Sequence, residues 1–394
     1  MNKHAGRYRL GVCILLALLM GMAAVVIPTP VMAAERTMRV ETVLPAALES
    51  VTGLTSGLPQ FVQSGIAPFD MIGASWTGRA TDQARVRVRR GGTWGPWTAL
   101  EADGDDSPDP GSPEARGGRI VTRPLWIGSA DGYELQAPSG ATQVHLVRQS
   151  GPKVRVRRGA QAQAAAAPPI ADRGAWGARA PRGPNAVASS LKMAFVHHTT
   201  GPNNYSAGEV PRMLRAMQAY HMDANGWDDI GYNFLVDRFG RLWEGRAGSR
   251  QRAIGAHTMG FNTASTGVAV LGTYTRTAPS PAAVDGVARV VGWMLGSNGV
   301  DPAGRATMRS AGSDKYRAGR TVQFPAVSGH RDGGSTACPG QRLYDQLPEI
   351  RNRARAYGPS PALIPPLDSL TGGLLGPVTG ALPPLGAANT APIR

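Results

Sequence analysis

The sequence predicts an α/β fold, a mixed β-sheet flanked by helices, preceded by a smaller β-rich, sandwich-like domain. Residues 35–159 contain short apolar and polar alternations of period two, the pattern of half-buried strands. Residues 170–357 instead interleave apolar strands with helical spacing, and one hairpin pattern there requires an antiparallel pair. Residues 160–169 are rich in Ala, Gln and Pro, a composition typical of a linker, so they mark a domain boundary.

Three segments predict strands of the first domain: residues 85–89, 144–147 and 154–157. Gly-Gly and Gly-Pro pairs between the apolar runs predict turns, and the whole is predicted to be a small antiparallel sandwich. Residues 103–114 are acidic and rich in proline and glycine, which predicts a loop. No residue pattern in this domain indicates chemistry of its own.

The predicted elements of the second domain share apolar residues at strand or helix spacing. They are, in order, a strand over residues 193–198, a helix over 210–223, a hairpin over 232–236 and 241–244, a strand over 266–271, a helix marked by Val284, Val287, Val291 and Met294, and a helix marked by Leu343, Leu347 and Ile350. Residues around 301–323 form a long basic insertion, which we expect to be a loop at the rim of the cleft.

Both ends of the chain have compositions unlike the domains. Residues 1–33 have the features of a secretory signal peptide: a basic start, an apolar run over residues 10–27 and the small-residue site Val31-Met32-Ala33. The apolar run is about 18 residues long, so an uncleaved membrane anchor is the alternative. Cleavage would leave no membrane span and a protein that is secreted or held in the cell envelope, in the periplasm or the wall. Residues 358–394, rich in Pro, Gly, Leu and Ala, predict a flexible tail.

The chain is strongly basic, with a formal net charge of +15 at pH 7. Such a surface attracts polyanions. For an exported protein these are anionic cell-wall polymers and anionic lipid. We expect no nucleic-acid partner, because export separates the protein from nucleic acid and no aromatic-interleaved basic motif is present.

Cys338 is the only cysteine outside the predicted signal peptide, and it lies in the stretch GHRDGGSTACPG at residues 329–340. A mature chain with one cysteine forms no intramolecular disulfide, so a metal ligand, a nucleophile or an intermolecular link is expected. His330 in the same stretch and His197 on a predicted strand complete a His-His-Cys set. Catalytic zinc sites use three such ligands and leave the fourth position open. Taken singly, each residue also fits a structural role.

Five motifs extend this set: FVHHT at residues 195–199, DIGYNF at 229–234, EGR at 244–246, GAH with Asn262 and TGV at 255–268, and the stretch at 329–340. In this order they resemble the peptidoglycan recognition protein and type-2 N-acetylmuramoyl-L-alanine amidase family, over about residues 170–357. The resemblance implies a zinc amidase that acts on peptidoglycan. Such an enzyme uses metal-activated water to cut the amide between N-acetylmuramic acid and the L-alanine of the stem peptide.

Carried over position by position, the resemblance implies that Zn²⁺ is held by His197, His330 and Cys338. Tyr232 matches the family's catalytic tyrosine, and Thr336 matches a position held by Thr or Lys two residues before the cysteine. We expect four further residues to contact the muramyl peptide substrate: His198, Arg246, His257 and Asn262.

Three other functions stay open at this stage. A recognition protein would bind peptidoglycan without cutting it, but family members of that kind usually lack the cysteine ligand. A structural or regulatory wall protein would use the first domain and the basic surface to bind the wall. A cysteine hydrolase would use Cys338 as a nucleophile and a histidine as base, and would remain active after chelation of metal.

Overall fold

A computed structural model of the chain describes residues 38–43, 60–77, 83–102, 104–115, 119–138, 142–149 and 167–358. The predicted signal peptide, the predicted strand over residues 154–157, most of the linker and the predicted tail beyond residue 358 lie outside these residues. Among the residues described, no helix has both the length and the apolar character needed to cross a membrane. The first domain covers residues 38–149 and the second covers residues 167–358.

The first domain is an antiparallel sheet of eight strands, as its alternating patterns predict. The strands are β1 (Met38–Val43), β2 (Gln60–Trp76), β3 (Ala84–Arg90), β4 (Thr93–Trp94), β5 (Thr98–Leu100), β6 (Ile120–Val121), β7 (Leu125–Gln136) and β8 (Gln143–Gln149). Their order is β1-β8-β2-β7-β3-β4, with β5 paired to β3 and β6 to β2. The register of β2 on β7 shifts twice, and such bulges bend a sheet. The bent sheet encloses a core that includes Phe69, Trp76 and Tyr133.

The second domain contains a mixed sheet of six strands, which confirms the predicted fold class. The strands are β9 (Ile170–Ala171), β10 (Met193–His198), β11 (Phe234–Val236), β12 (Leu242–Glu244), β13 (Ser265–Val270) and β16 (Val327–Gly329). Their order is β16-β10-β13-β11-β12-β9. Only β11 and β12 pair antiparallel, as the hairpin pattern requires, and the other neighbours are parallel.

Helices cover both faces of this sheet. They are α1 (Arg173–Trp176), α2 (Val210–Ala219), α3 (Pro281–Gly296), α4 (His330–Gly333), α5 (Gln341–Tyr344) and α6 (Leu347–Tyr357). Helix α2 continues into a π-helical turn, Tyr220–Ala224, so the predicted helix over residues 210–223 is confirmed. Helices α3 and α6 share one apolar core with β10, β11, β13 and β16. Ser280 begins α3 by accepting a hydrogen bond from the Ala283 N–H at 3.1 Å.

The basic insertion forms a β-hairpin where the sequence predicted a loop. Its strands are β14 (Arg305–Arg309) and β15 (Thr321–Pro325). Along β14, Ala306 and Met308 are buried while Arg305, Thr307 and Arg309 are exposed, which is the alternation of a strand with one buried face. The buried face packs on Phe261, and this apolar contact holds the hairpin against the domain.

The two domains share an apolar core. Met71, Trp126 and Val147 of the first domain pack in one cluster with residues of α2 and with Tyr220. The Tyr220 hydroxyl donates to the Thr122 carbonyl at 3.0 Å. A Cβ at Gly73 would lie 2.1 Å from the same hydroxyl oxygen, so only glycine admits the tyrosine at this position. The first domain is therefore packed directly on the second rather than attached through the linker alone.

His145 lies at the edge of this interface and is buried. Its ring contacts that of Tyr220, with centroids 5.9 Å apart, and its Nε2 lies 2.9 Å from the Ser75 hydroxyl oxygen. Burial, and to a lesser degree the nearby Arg119, lowers the pKa of His145 to about 4. The ring is therefore neutral in the folded protein at neutral pH.

We expect His145 to make the protein less stable as the pH falls from about 6.5 to about 4. The unfolded chain binds a proton at this histidine near pH 6.5, whereas the folded protein binds it only near pH 4. The contribution of His145 to the free energy of unfolding is thus fully present above about pH 6.5. It falls by roughly 3 kcal/mol at most between about pH 6.5 and about pH 4. Urea unfolding near pH 7.5 and near pH 4.5 measures this loss. His145→Gln should lose less stability on acidification than the wild type, and an equal loss would contradict the assignment.

Candidate active site

Parallel pairing in the second sheet brings the predicted metal ligands together. The register of β10 on β16 sets the end of β16 beside His197, and His330 follows at the start of α4. Cys338 lies close to His330 because its carbonyl accepts a hydrogen bond from the Arg331 N–H at 2.9 Å. All three side chains are buried, and their ligand atoms lie within 4.8 Å of one another. His197 Nδ1 and Cys338 Sγ are 3.9 Å apart.

This set of donors fits a zinc ion. Two imidazole nitrogens and one thiol are the ligand types of catalytic zinc sites. Burial raises the pKa of the Cys338 thiol to about 12, so the thiol keeps its proton at neutral pH unless a cation replaces it. The same burial disfavours a free thiolate at Cys338 when no cation is bound.

His257 lies behind His197 and not in the cleft. Its Nδ1 is 3.3 Å from Nε2 of His197. That nitrogen faces away from the metal cluster, as we call the side chains of His197, His330 and Cys338 together. A hydrogen bond at that nitrogen fixes the tautomer and the orientation of a metal-binding imidazole. His257 is fully buried and is placed to position His197, and the substrate contact expected of it stays a prediction.

Two glycines make room for His257. A Cβ at Gly267 would lie 2.4 Å from Cγ of His257, and a Cβ at Gly255 would lie 2.4 Å from its Cδ2. A side chain at either position would therefore push His257 towards His197. This close approach gives a physical reason for both glycines in the motif at residues 255–268.

His198 points to the other face of β10, as the alternation of a strand requires. It is fully buried, and its Nδ1 accepts a hydrogen bond from the Tyr274 N–H at 3.3 Å. Its own backbone N–H donates to Cys338 Sγ at 3.4 Å. The side chain of His198 thus stabilises the chain after β13, and its backbone stabilises the cysteine sulfur. The substrate contact expected of His198 stays a prediction.

A loop of the first domain enters the cleft of the second. The connection between β5 and β6 contains residues 104–115, which we call the acidic segment because it contains four acidic residues and no Lys or Arg. These residues are Asp105, Asp106, Asp109 and Glu114. The sequence predicted a loop here without any chemistry, but the structure places its carboxylates among the candidate site residues.

Asp106 lies against the metal cluster and is only 1% exposed. Its Oδ1 is 3.3 Å from His197 Nδ1 and 3.2 Å from His330 Nδ1. Its Oδ2 accepts a hydrogen bond from the Tyr232 hydroxyl at 3.3 Å. The predicted catalytic tyrosine is therefore beside the cluster, and its hydroxyl donates to a carboxylate of the first domain.

Arg123, between β6 and β7, lies against Asp106 and is 3% exposed. Its Nε lies 3.1 Å from Asp106 Oδ2, and its Nη2 donates to the Thr336 hydroxyl oxygen at 3.2 Å. Burial alone would raise the pKa of Asp106, but Arg123 and the two histidines hold it well below its usual range. Asp106 is therefore an ionised carboxylate. Both predicted catalytic residues, Tyr232 and Thr336, contact the first domain.

Two residues predicted to bind substrate hold other carboxylates of the acidic segment. Arg246 donates to both oxygens of Glu114, at 2.8 and 2.6 Å. Asn262 donates from Nδ2 to Asp109 Oδ1 at 2.8 Å, and the same oxygen accepts from the Gly260 N–H at 2.8 Å. The cleft thus carries a row of donors suited to carboxylates, because charge-assisted and bidentate hydrogen bonds favour such groups.

Comparisons with known proteins identify the families that the two domains resemble. Residues 188–341 match the family described as N-acetylmuramoyl-L-alanine amidase, and residues 30–169 match the one described as Rv3811 N-terminal galactose-binding domain-like. The chain is 32% identical over 186 residues to peptidoglycan-recognition protein SC2 of Drosophila simulans, across 47% of this chain and 88% of that protein. It is 35% identical over 198 residues to the N-acetylmuramoyl-L-alanine amidase of Homo sapiens, across 50% of this chain and 30% of that protein. The solved structure of wild-type Drosophila PGRP-LB aligns with a TM-score of 0.36 at 26% identity, across 45% of this chain and 90% of that chain.

Proposed function

This chain belongs to the family of N-acetylmuramoyl-L-alanine amidases and peptidoglycan-recognition proteins, and we propose on that premise that it is a zinc-dependent amidase. Its reaction is hydrolysis of the amide between N-acetylmuramic acid and the L-alanine of the stem peptide. The observation that carries the proposal is the buried set His197, His330 and Cys338, with ligand atoms within 4.8 Å of one another. A protein that only binds peptidoglycan needs no such set.

The chain's own residues orient the reacting groups. When bound, zinc supplies a Lewis acid for the amide carbonyl and lowers the pKa of water. His257 holds His197 so that Nδ1 faces the cluster. Tyr232 already donates to an oxygen beside the cluster, that of Asp106, so it is placed to donate to the carbonyl oxygen as negative charge develops there. Thr336 accepts a hydrogen bond from the Cys338 N–H at 3.2 Å and so holds the loop that carries the third ligand.

The substrate is a muramyl peptide held by its carboxylates. Arg246 is fully buried and donates to both oxygens of a carboxylate in this structure, and Asn262 donates to another. Stem peptides carry carboxylates of the same chemistry, which supports a substrate-binding role for both residues.

The proposal includes export and action at the cell envelope. The signal-peptide features of residues 1–33 support export. The net charge of +15 supports contact with anionic wall polymers in addition to the substrate itself.

Digestion of purified peptidoglycan with the zinc-loaded full chain, analysed by mass spectrometry, tests the function. We expect stem peptides with a free L-alanine amino group, which disappear on treatment with EDTA and return when zinc is restored. Products that persist in EDTA would favour a cysteine hydrolase. Binding to the wall without these products would identify a recognition protein instead.

Tyr232→Phe is expected to lower kcat by about 100- to 1,000-fold, the cost of losing one donor to a developing oxyanion. The zinc content should not change, because the ring beside His197, with centroids 5.3 Å apart, is retained. Turnover of a soluble muramyl peptide and the zinc-to-protein ratio measure the two effects. Tyr205→Phe is the matched control, because its buried hydroxyl donates to the Leu271 carbonyl at 3.2 Å, away from the cluster. Equal kcat for Tyr232→Phe and the wild type would remove Tyr232 from the mechanism.

A further inference from the structure

The first domain contacts each side chain that the proposed amidase would use on its substrate. Asp106 faces the metal cluster and Tyr232, and Arg123 faces Thr336. Farther along the cleft, Asn262 and Arg246 hold carboxylates of the same acidic segment. One short stretch of chain therefore fills both the reacting end and the binding end of the cleft.

The Oδ1 atom of Asp106 lies beside both histidines of the metal cluster. Two nitrogen or oxygen ligands about 2.0 to 2.1 Å from a tetrahedral zinc are about 3.3 Å from each other. Asp106 Oδ1 is 3.3 Å from His197 Nδ1 and 3.2 Å from His330 Nδ1. It is buried beside these two imidazole nitrogens, close enough to accept a hydrogen bond from His197. The same two distances are compatible with ligands that share one ion, and carboxylate oxygen is an established zinc ligand.

The rest of the acidic segment is bound tightly enough to keep Asp106 in place. Glu114 forms a bidentate pair with Arg246, whose side chain is almost fully buried. Glu114 also accepts from the Asp228 N–H at 2.9 Å. Asp109 accepts from the side chain and the backbone of Asn262, at 2.8 and 3.2 Å. Charge-assisted bonds of this kind are roughly twice as strong as neutral ones.

We propose that the acidic segment is an internal inhibitor of the amidase, with Asp106 as a fourth protein ligand of the metal. Asp109 and Glu114 hold the groups that would bind the carboxylates of the substrate. The inference rests on the proposed amidase function. The full chain is then partly inhibited, because a fourth protein ligand competes for the position that a catalytic zinc keeps open for water. Substrate binds productively only after the segment has left the cleft.

Asp106→Ala in the full chain tests the inference, with Asp105→Ala as a matched control. Asp105 is the neighbouring acid of the same segment, and its carboxyl faces Asp314 instead of the cluster. With cobalt(II) in place of zinc, the wild type and Asp105→Ala should give visible spectra that do not change with pH. Asp106→Ala should give a spectrum that titrates, because water enters the open position. At equal zinc content, Asp106→Ala should raise kcat/KM at least about tenfold, and Asp105→Ala, which loosens the segment at Asp314 without touching the cluster, should raise it by less.

Glu114→Gln is a second variant that leaves the cluster untouched. It weakens the pair with Arg246, so it should also raise kcat/KM, by less than Asp106→Ala. A wild-type cobalt spectrum that titrates like that of Asp106→Ala would overturn the inference and leave the amidase proposal intact. Lower activity in Asp106→Ala than in the wild type would also overturn it and would make Asp106 a catalytic residue. Failure of every variant to bind cobalt would overturn the amidase proposal itself.

Discussion

Replacing His197 with asparagine is expected to abolish zinc binding and to lower amidase activity by about 1,000-fold or more. The substitution removes one of three protein ligands on the second domain and leaves a set that holds zinc poorly. A loss of that size corresponds to roughly 4 kcal/mol of transition-state stabilisation, within what a metal supplies as a Lewis acid. Zinc content by elemental analysis and the rate of L-alanine release measure the result.

His198→Asn is the matched control, because His197 and His198 are adjacent and equally buried on opposite faces of β10. The asparagine oxygen can accept the Tyr274 N–H that Nδ1 of His198 accepts. We expect this variant to keep its zinc and to retain activity within a few-fold of the wild type. Both substitutions should also be made in the Asp106→Ala chain, so that inhibition by the acidic segment does not hide the loss. Equal loss of zinc in both variants would contradict the assignment of His197.

Tyr220→Ala is expected to lower the free energy of unfolding by about 3 to 5 kcal/mol, the cost of a large cavity in a core. Tyr220 is fully buried in the cluster that the two domains share. The surface opposite its hydroxyl is the backbone of Gly73, which has no side chain to fill the space. Urea unfolding of the full chain, followed by tryptophan fluorescence, measures the change.

Tyr220→Phe distinguishes the contribution of the ring to stability from that of the hydroxyl. It keeps the ring and removes the hydroxyl, which donates to the Thr122 carbonyl and lies 3.5 Å from the Thr122 hydroxyl, and should cost about 1 kcal/mol. If Tyr220→Ala costs no more than Tyr220→Phe, the packing of the ring across the interface contributes little. A large difference would confirm that the shared core, and not the linker, holds the first domain on the second.

Local patterns were sufficient for most of the second domain. The strand predicted over residues 193–198 agrees with β10, because a continuous apolar run is typical of a strand buried on both faces. The hairpin of β11 and β12 followed from its turn residues. The ligand set could be predicted because an isolated cysteine and two histidines in recognisable motifs leave few chemical alternatives.

The contribution of the first domain could not be predicted in the same way. Asp106, Arg123 and Glu114 reach the site through contacts between residues more than a hundred positions apart, which no periodicity records. The only sequence feature that set this segment apart was its cluster of acidic residues in a strongly basic chain. The roles of His198 and His257 were missed for a related reason, because burial behind the cleft depends on glycines and neighbours that only the fold brings together.

The pairing of β10 with β16 also bears on when a metal can bind. His197 and His330 are separated by about 130 residues, so bringing them together closes a long loop and requires the central sheet to be complete. Under the proposed function, zinc would therefore bind the folded domain in preference to the unfolded chain, and free zinc would raise the folded population by mass action. If the chain is exported before it folds, as we propose, it would carry no preformed site across the membrane and would acquire its ion at its destination. The zinc supply outside the membrane, rather than that of the cytoplasm, would then set the fraction of the protein that is loaded.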